Sequence, residues 1–158
     1  MNIFLEAHQT ILSHLISNHV DFLLIGGYAV IFHGYARSTG DMDIWVRPTN
    51  NNKQSLGKAL EDYGYDFQDL KGLYEKDFTN HMAFSIGDEP DKIEFINYVN
   101  LVSFEEANQN RILYDFEDLR VPFINLRELI LSKMNTGRKK DEADIEELQK
   151  IVNFKKTE

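Results

Sequence analysis

Apolar positions recur along the chain with a period that changes from block to block. Ile3, Ile11, Leu12, Leu15 and Ile16 mostly share one face of a 3.6-residue repeat, which predicts an amphipathic first helix. The run DFLLIGG, residues 21–27, is short, apolar and closed by glycines, the pattern of a buried strand. YAVIFHG (28–34) is ambiguous, because Val and Ile also favour strands. It reads as helix, since two strands would need a tight hairpin at Gly26 and Gly27 and would leave Asp41 and Asp43 without a role. MDIWV (42–46) predicts a second strand, stopped by Pro48, which cannot donate to a ladder. Residues 49–64 supply Asn N-cap candidates, apolar spacing at Leu56 and Leu60, and Gly64 as a helix stop.

The second half alternates in the same way. Residues 81–99 predict a hairpin, two alternating segments flanking GDEPD. Ser103 and Glu106 have the spacing of a capping box for a short helix. Residues 111–126 read as a strand pair around FED, residues 126–137 as a helix ended by Gly137, and residues 140–154 as a last helix with Ile145, Leu148, Ile151 and Val152 on its apolar face. No repeat, linker or low-complexity stretch interrupts the series, so one α/β (α+β) domain spanning 1–158, with helical ends, is expected.

Composition narrows the function classes. A net charge of −9 argues against a general nucleic-acid binder, whose long-range field would be positive. The basic residues gather late, in GRKK (137–140) and at Lys155 and Lys156, where a local phosphate site or a solvated face both fit. The absence of cysteine excludes disulfides, thiolate catalysis and cysteine-ligated zinc, which fits a cytoplasmic protein. No apolar run is long enough to span a membrane, and the N-terminus reads as a first helix rather than a signal peptide. The histidines form no ligand set: His8, His14 and His19 lack the spacing of a zinc helix, and His33 reads as core or surface.

Chemistry concentrates between residues 23 and 46. Asp41 and Asp43 stand two apart in a strand pattern, so their carboxylates leave one face. Two adjacent anions are costly unless a cation lies between them, and hard divalent cations take oxygen ligands. Met42 and Ile44 alternate with the acids toward the core. Gly26 and Gly27 let a ligand approach the backbone, and a helix starting there offers free N–H groups to an anion. A third carboxylate is wanted for two-metal phosphoryl chemistry, and Glu94, between Ile93 and Phe95 in a strand pattern, supplies it, with Asp91 at the turn ranked second.

In this order, IGG, a short helix, DMDIWV and later IEFI resemble the nucleotidyltransferase superfamily that includes polymerase beta-like and minimal nucleotidyltransferases. The C-terminal part, with a helix ending in Lys and a GR-K-D--D segment, is similar to nucleotidyltransferases related to abortive-infection toxins. The resemblance implies a mixed sheet flanked by helices. It also implies transfer of a nucleoside monophosphate from an NTP to an acceptor hydroxyl, with Mg²⁺ or Mn²⁺ as cofactor and pyrophosphate released. Asp41 and Asp43 would hold the metals, Glu94 would bind the second metal or accept the proton, and Gly26 and Gly27 would contact the β and γ phosphates. Two departures stand out: residue 27 is Gly where the superfamily often has Ser, and the third acid is Glu rather than Asp.

Arg37 and Thr39 are nucleotide-binding candidates beside an equal reading as solvent-exposed loop, and Lys133 either points to phosphates or snorkels to solvent. Arg138, Lys140, Asp141 and Asp144 fit helix-dipole roles, and Trp45 reads as packed beneath a helix. The acceptor class stays open among a tRNA end, a protein hydroxyl and a small molecule. Two rival readings are an inactive member of the fold that binds a nucleotide or an antitoxin partner, and a Mg²⁺-dependent phosphohydrolase or sugar-nucleotide enzyme.

Overall fold

A computed structural model describes residues 3–157. Its strands run β1 (Phe22–Ile25), β2 (Met42–Val46), β3 (Ala83–Ile86), β4 (Ile93–Ile96), β5 (Ile112–Phe116) and β6 (Leu119–Phe123). The helices are α1 (Glu6–Ser17), α2 (Gly26–Phe32), α3 (Asn50–Tyr63), α4 (Phe67–Tyr74), α5 (Phe104–Gln109), α6 (Leu126–Lys133) and α7 (Lys139–Lys156). The strands form one mixed sheet in the order β3-β4-β2-β1-β6-β5. Strands β2 and β4 are parallel neighbours, whereas β1 pairs with β2 antiparallel and β3 with β4 antiparallel.

The apolar runs place the core as their pattern predicts. Every residue of β1 is buried, and in β2 Met42, Ile44 and Val46 are fully buried on one face while Trp45 is buried on the other. Burial on both faces identifies these as central strands. Trp45 meets the ring of Phe104 edge-on, with centroids 5.4 Å apart, so α5 covers its side of the sheet. YAVIFHG does fold as helix, α2, and Gly64 does stop α3 with φ 134°. Three boundaries differ from expectation. The cap of α3 is Thr49, whose side chain accepts from Asn52 N, rather than an Asn. Helix α6 ends at Lys133, several residues before Gly137. His19 falls beyond α1, in a turn with φ 56°. Helix α4 has no counterpart in the sequence reading, although Asp66 and Asp69 close a reciprocal capping box at its start.

Two polar tethers fix the segments that carry the chemistry. His8 is fully buried, with Nε2 3.0 Å from the Asp91 carbonyl and Nδ1 2.7 Å from the Tyr28 hydroxyl. A carbonyl only accepts, so in the neutral ring Nε2 carries the proton and Nδ1 accepts from Tyr28. That one side chain joins α1, α2 and the β3–β4 turn. The second tether docks α7. Asp144, 1% exposed, accepts from Arg37 Nε and Nη2 at 3.0 and 3.1 Å and pairs with Lys133 Nζ at 3.0 Å. One buried carboxylate therefore holds the loop after α2, the end of α6 and the start of α7 together.

Removing one member of a buried ionic group strands the others without compensation, which costs about 3–5 kcal/mol. Asp144→Ala is expected to destabilise the protein by about that amount in urea denaturation, and Arg37→Ala by a comparable amount. Breaking the exposed pair Lys58–Asp62, 3.4 Å apart on α3, by Asp62→Ala should leave the urea midpoint close to wild type.

Candidate active site

Parallel pairing of β2 with β4 sets Asp43 directly opposite Glu94, and antiparallel pairing of β1 with β2 sets Ile25 opposite Asp43. Directly opposed residues share a face, so the row Ile25–Asp43–Glu94 crosses the sheet with both acids on one side. The chain then turns sharply over Asp43. Gly26 has φ 66°, and a Cβ placed there would lie 2.9 Å from both Cβ and Cγ of Asp43. Glycine is required twice over, by the left-handed backbone and by the carboxylate beneath it. The acids and Gly26 open into a cleft of about 280 Å³ whose opposite wall is Ser132, Lys133 and Arg138.

That wall is a charge network. Lys133 is 9% exposed and pairs with Asp141 at 3.2 Å as well as with Asp144. Asp141 also accepts from Thr136 at 2.7 Å and from the largely exposed Arg138 at 2.9 Å. Burial alone would raise the Asp141 pKa. The Thr136 hydrogen bond and the charges of Lys133 and Arg138 outweigh it and hold this carboxyl below the ordinary value. With Arg37, which lies behind the wall and outside the cleft lining, the network carries three cations against two anions.

Asp43 carries the opposite imbalance. Burial, then the charges of Glu94 and Asp41, push its pKa up to about 6, against the smaller opposing pull of Lys133 and Arg138. Asp41 stands just before β2, and its Oδ1 is buried without a hydrogen-bond partner. Its neighbour on the other side is Glu89, from the β3–β4 turn, whose pKa is raised by sharing a hydrogen bond with the Asp41 carboxyl. Among the described residues no three carboxylate or imidazole groups are gathered into a ready-made metal cage. The fit to a divalent cation rests instead on the orphaned Asp41 oxygen and on the mutual repulsion of Asp41, Asp43 and Glu94.

The sequence-derived candidates therefore divide. Gly26, Asp43, Glu94 and Lys133 meet in the cleft. Asp41, Gly27, Arg37 and Thr39 lie outside its lining. Arg37 is engaged by Asp144, and Thr39 packs on Gly27 so closely that a Cβ there would lie 2.7 Å from its own Cβ. Asp91 is occupied through its backbone by His8. Sequence reasoning left Arg138, Asp141 and Asp144 to helix-dipole roles, but Arg138 lines the cleft and the two acids anchor its cationic wall. The signal was present: residues 141, 144 and 148 share one helical face, and acids in line with buried Leu148 need cationic partners.

A carboxyl whose folded pKa is raised takes up protons in the native state that the unfolded chain releases, so stability falls as pH rises from about 4 to about 6 and stays reduced above that. Asp43→Asn removes this penalty. In EDTA at pH 7.5 the variant should be more stable than wild type by roughly 1–3 kcal/mol, and the gap should close below pH 4. Parallel thermal melts at both pH values check this.

Two resemblances place this architecture among known proteins. The chain matches over residues 1–156 the family described as nucleotidyltransferase of unknown function (DUF6036). Its fold is similar to the crystal structure of the lincosamide antibiotic adenylyltransferase LnuA in its lincomycin-bound form. The TM-score is 0.58 at 19% identity, over 96% of this chain and 99% of that one. No curated protein matches. The six-stranded mixed sheet with helices around it is thus a nucleotidyltransferase fold, and with a match covering nearly its whole length the chain belongs to the DUF6036 family of nucleotidyltransferases.

Proposed function

We propose that this protein transfers a nucleoside monophosphate from an NTP to an acceptor hydroxyl, in a reaction that depends on Mg²⁺ or Mn²⁺. The observation that carries this reading is the polarity of the cleft: Asp43 and Glu94 on its floor, Lys133 and Arg138 across from them. Anions on one side suit a cation, and cations on the other suit phosphate oxygens. Asp41, Asp43 and Glu94 would hold the metal, which when bound would neutralise charge on the phosphates.

The chain's own groups then have distinct tasks. Gly26 allows the backbone to approach the nucleotide, and Lys133 and Arg138 donate to its phosphate oxygens. Asp141 and Asp144 fix Lys133 in place, which matters because phosphoryl transfer is catalysed mostly by positioning and charge. The acceptor oxygen bonds to the α-phosphorus, the bond from that phosphorus to the bridging oxygen breaks, and pyrophosphate leaves with the electron pair. Glu94, opposite Asp43 in the sheet, would take the acceptor's proton or share the metal. Thr39 Oγ1 lies where a side chain on Gly27 would sit, but it donates to the Asp41 carbonyl at 3.2 Å and stands outside the cleft lining, so its task is to orient the loop that enters β2.

Incubation with each α-³²P-labelled NTP, Mg²⁺ and candidate acceptors should yield labelled acceptor and pyrophosphate. Asp43→Asn should lower the rate by ~10²-fold or more. Release of inorganic phosphate instead would favour a phosphohydrolase, and no product with any NTP would favour an inert member of the fold that binds nucleotide or a partner protein. Thr39→Val, which removes the hydrogen bond to the Asp41 carbonyl, should lower stability by about 1 kcal/mol in urea denaturation, with Thr39→Ser close to wild type.

A further inference from the structure

A second cavity, of about 460 Å³, opens next to the cleft on the same face of the sheet. Tyr98 and Val99 line both. Register explains the adjacency: Trp45 follows Asp43 by two residues and is opposed by Ile96, with Tyr98 two residues further on. Two residues of strand span about 7 Å, so a ring held against Trp45 reaches the Asp43–Glu94 row. The lining differs from that of the cleft. Trp45, Phe78, His81, Tyr98, Leu101 and Phe104 dominate, and no Lys, Arg, Asp or Glu contributes.

Three features set this cavity apart. Leu101 holds φ at 67° in a turn closed by the Val99–Val102 bridge, and it is 61% exposed. A left-handed leucine costs about 1–2 kcal/mol, and here it displays an apolar side chain to water. Tyr98 is 48% exposed and stacks on His81 with centroids 3.8 Å apart. Trp45, 1% exposed, has an Nε1 donor with no hydrogen-bond partner.

We propose that this cavity holds the acceptor, and that the acceptor is a small amphipathic molecule. It would have an apolar ring body for Leu101, Tyr98 and the face of Trp45, and a hydroxyl directed at Asp43 and Glu94. The inference rests on the nucleotidyl-transfer reading above and deepens it. The reaction is unchanged: the acceptor's O–H becomes O–P, the α–β phosphoanhydride bond breaks, pyrophosphate leaves, and the proton passes to Glu94 or to solvent. An RNA end or a phosphorylated metabolite fits poorly, because its phosphates would find no cation in the lining. The triphosphate has its cations on the α6–α7 side, at Lys133 and Arg138.

The chain has one tryptophan, whose side chain lines the cavity, so its indole N–H gives a single, assignable NMR resonance that reports on it. ¹⁵N-labelled protein would be titrated with cyclohexanol, benzyl alcohol, ATP·Mg²⁺ and the ribonucleotide trimer CCA. The expected result is a saturable shift of the indole with the ring alcohols at millimolar concentration, while ATP·Mg²⁺ moves the Gly26 amide and leaves the indole in place. Leu101→Asp, a surface change that the fold tolerates, should weaken alcohol binding about tenfold or more. An indole shift with ATP·Mg²⁺ that the alcohols compete away would assign the cavity to the nucleobase and overturn the proposal. So would a shift with CCA alone, or none with any probe. Failure of ATP·Mg²⁺ to move Gly26 while the alcohols bind would count against nucleotidyl transfer itself, and the acceptor role would fall with it.

Discussion

Two carboxylates on neighbouring parallel strands repel each other, and the arrangement of this molecule follows from where that repulsion is placed. Asp43 and Glu94 could have been separated by a one-residue slip in register, yet the slip would turn either Met42 and Ile44 or Ile93 and Phe95 out of the core. Hydrophobic burial thus enforces an electrostatically unfavourable pair. The consequence is visible in Asp43, whose pKa is pushed up to about 6 by burial first and by the neighbouring acids next.

The opposite wall offsets part of this cost without cancelling it. Lys133 would be as expensive as the acids if buried alone, and Asp141 and Asp144 make it tolerable. Those two acids also decide the tertiary arrangement, because Asp144 reaches Arg37 in the loop that leads into β2. Docking of the last helix and positioning of the cationic wall are therefore a single event. A chain lacking α7 would leave Lys133 and Arg37 without counter-charges, and the cleft would lose its defined side.

Most of the fold was legible because each buried element declares its period. β1 is a block of four buried apolar residues, α7 repeats Leu148 and Ile151 in line, and the β3–β4 hairpin is bracketed by turn formers. Helix α4 escaped notice because FQDLKGLY has only two buried positions, Leu70 and Leu73, too few to establish a period. Within the site, Asp43, Glu94 and Gly26 could be read from alternation and glycine placement. The roles of Asp141 and Asp144 were only hinted at by their alignment with Leu148, since acids at the start of a helix satisfy the dipole equally well on the surface, and tertiary pairing with residues 133 and 37 separates the two cases. Thr39 was equally obscure: its relation to Gly27 is a contact across a loop, with no spacing rule to reveal it.

The central claim is that the acid pair and the cationic wall form one nucleotide site completed by a divalent cation. Calorimetric titration of the wild-type protein with ATP, in Mg²⁺ and in EDTA, tests it most directly, with the Asp41→Asn, Asp43→Asn double variant alongside. ATP should bind in Mg²⁺, and that binding should disappear both in EDTA and in the double variant. Equal ATP affinity in Mg²⁺ and EDTA, or in wild type and variant, would contradict it.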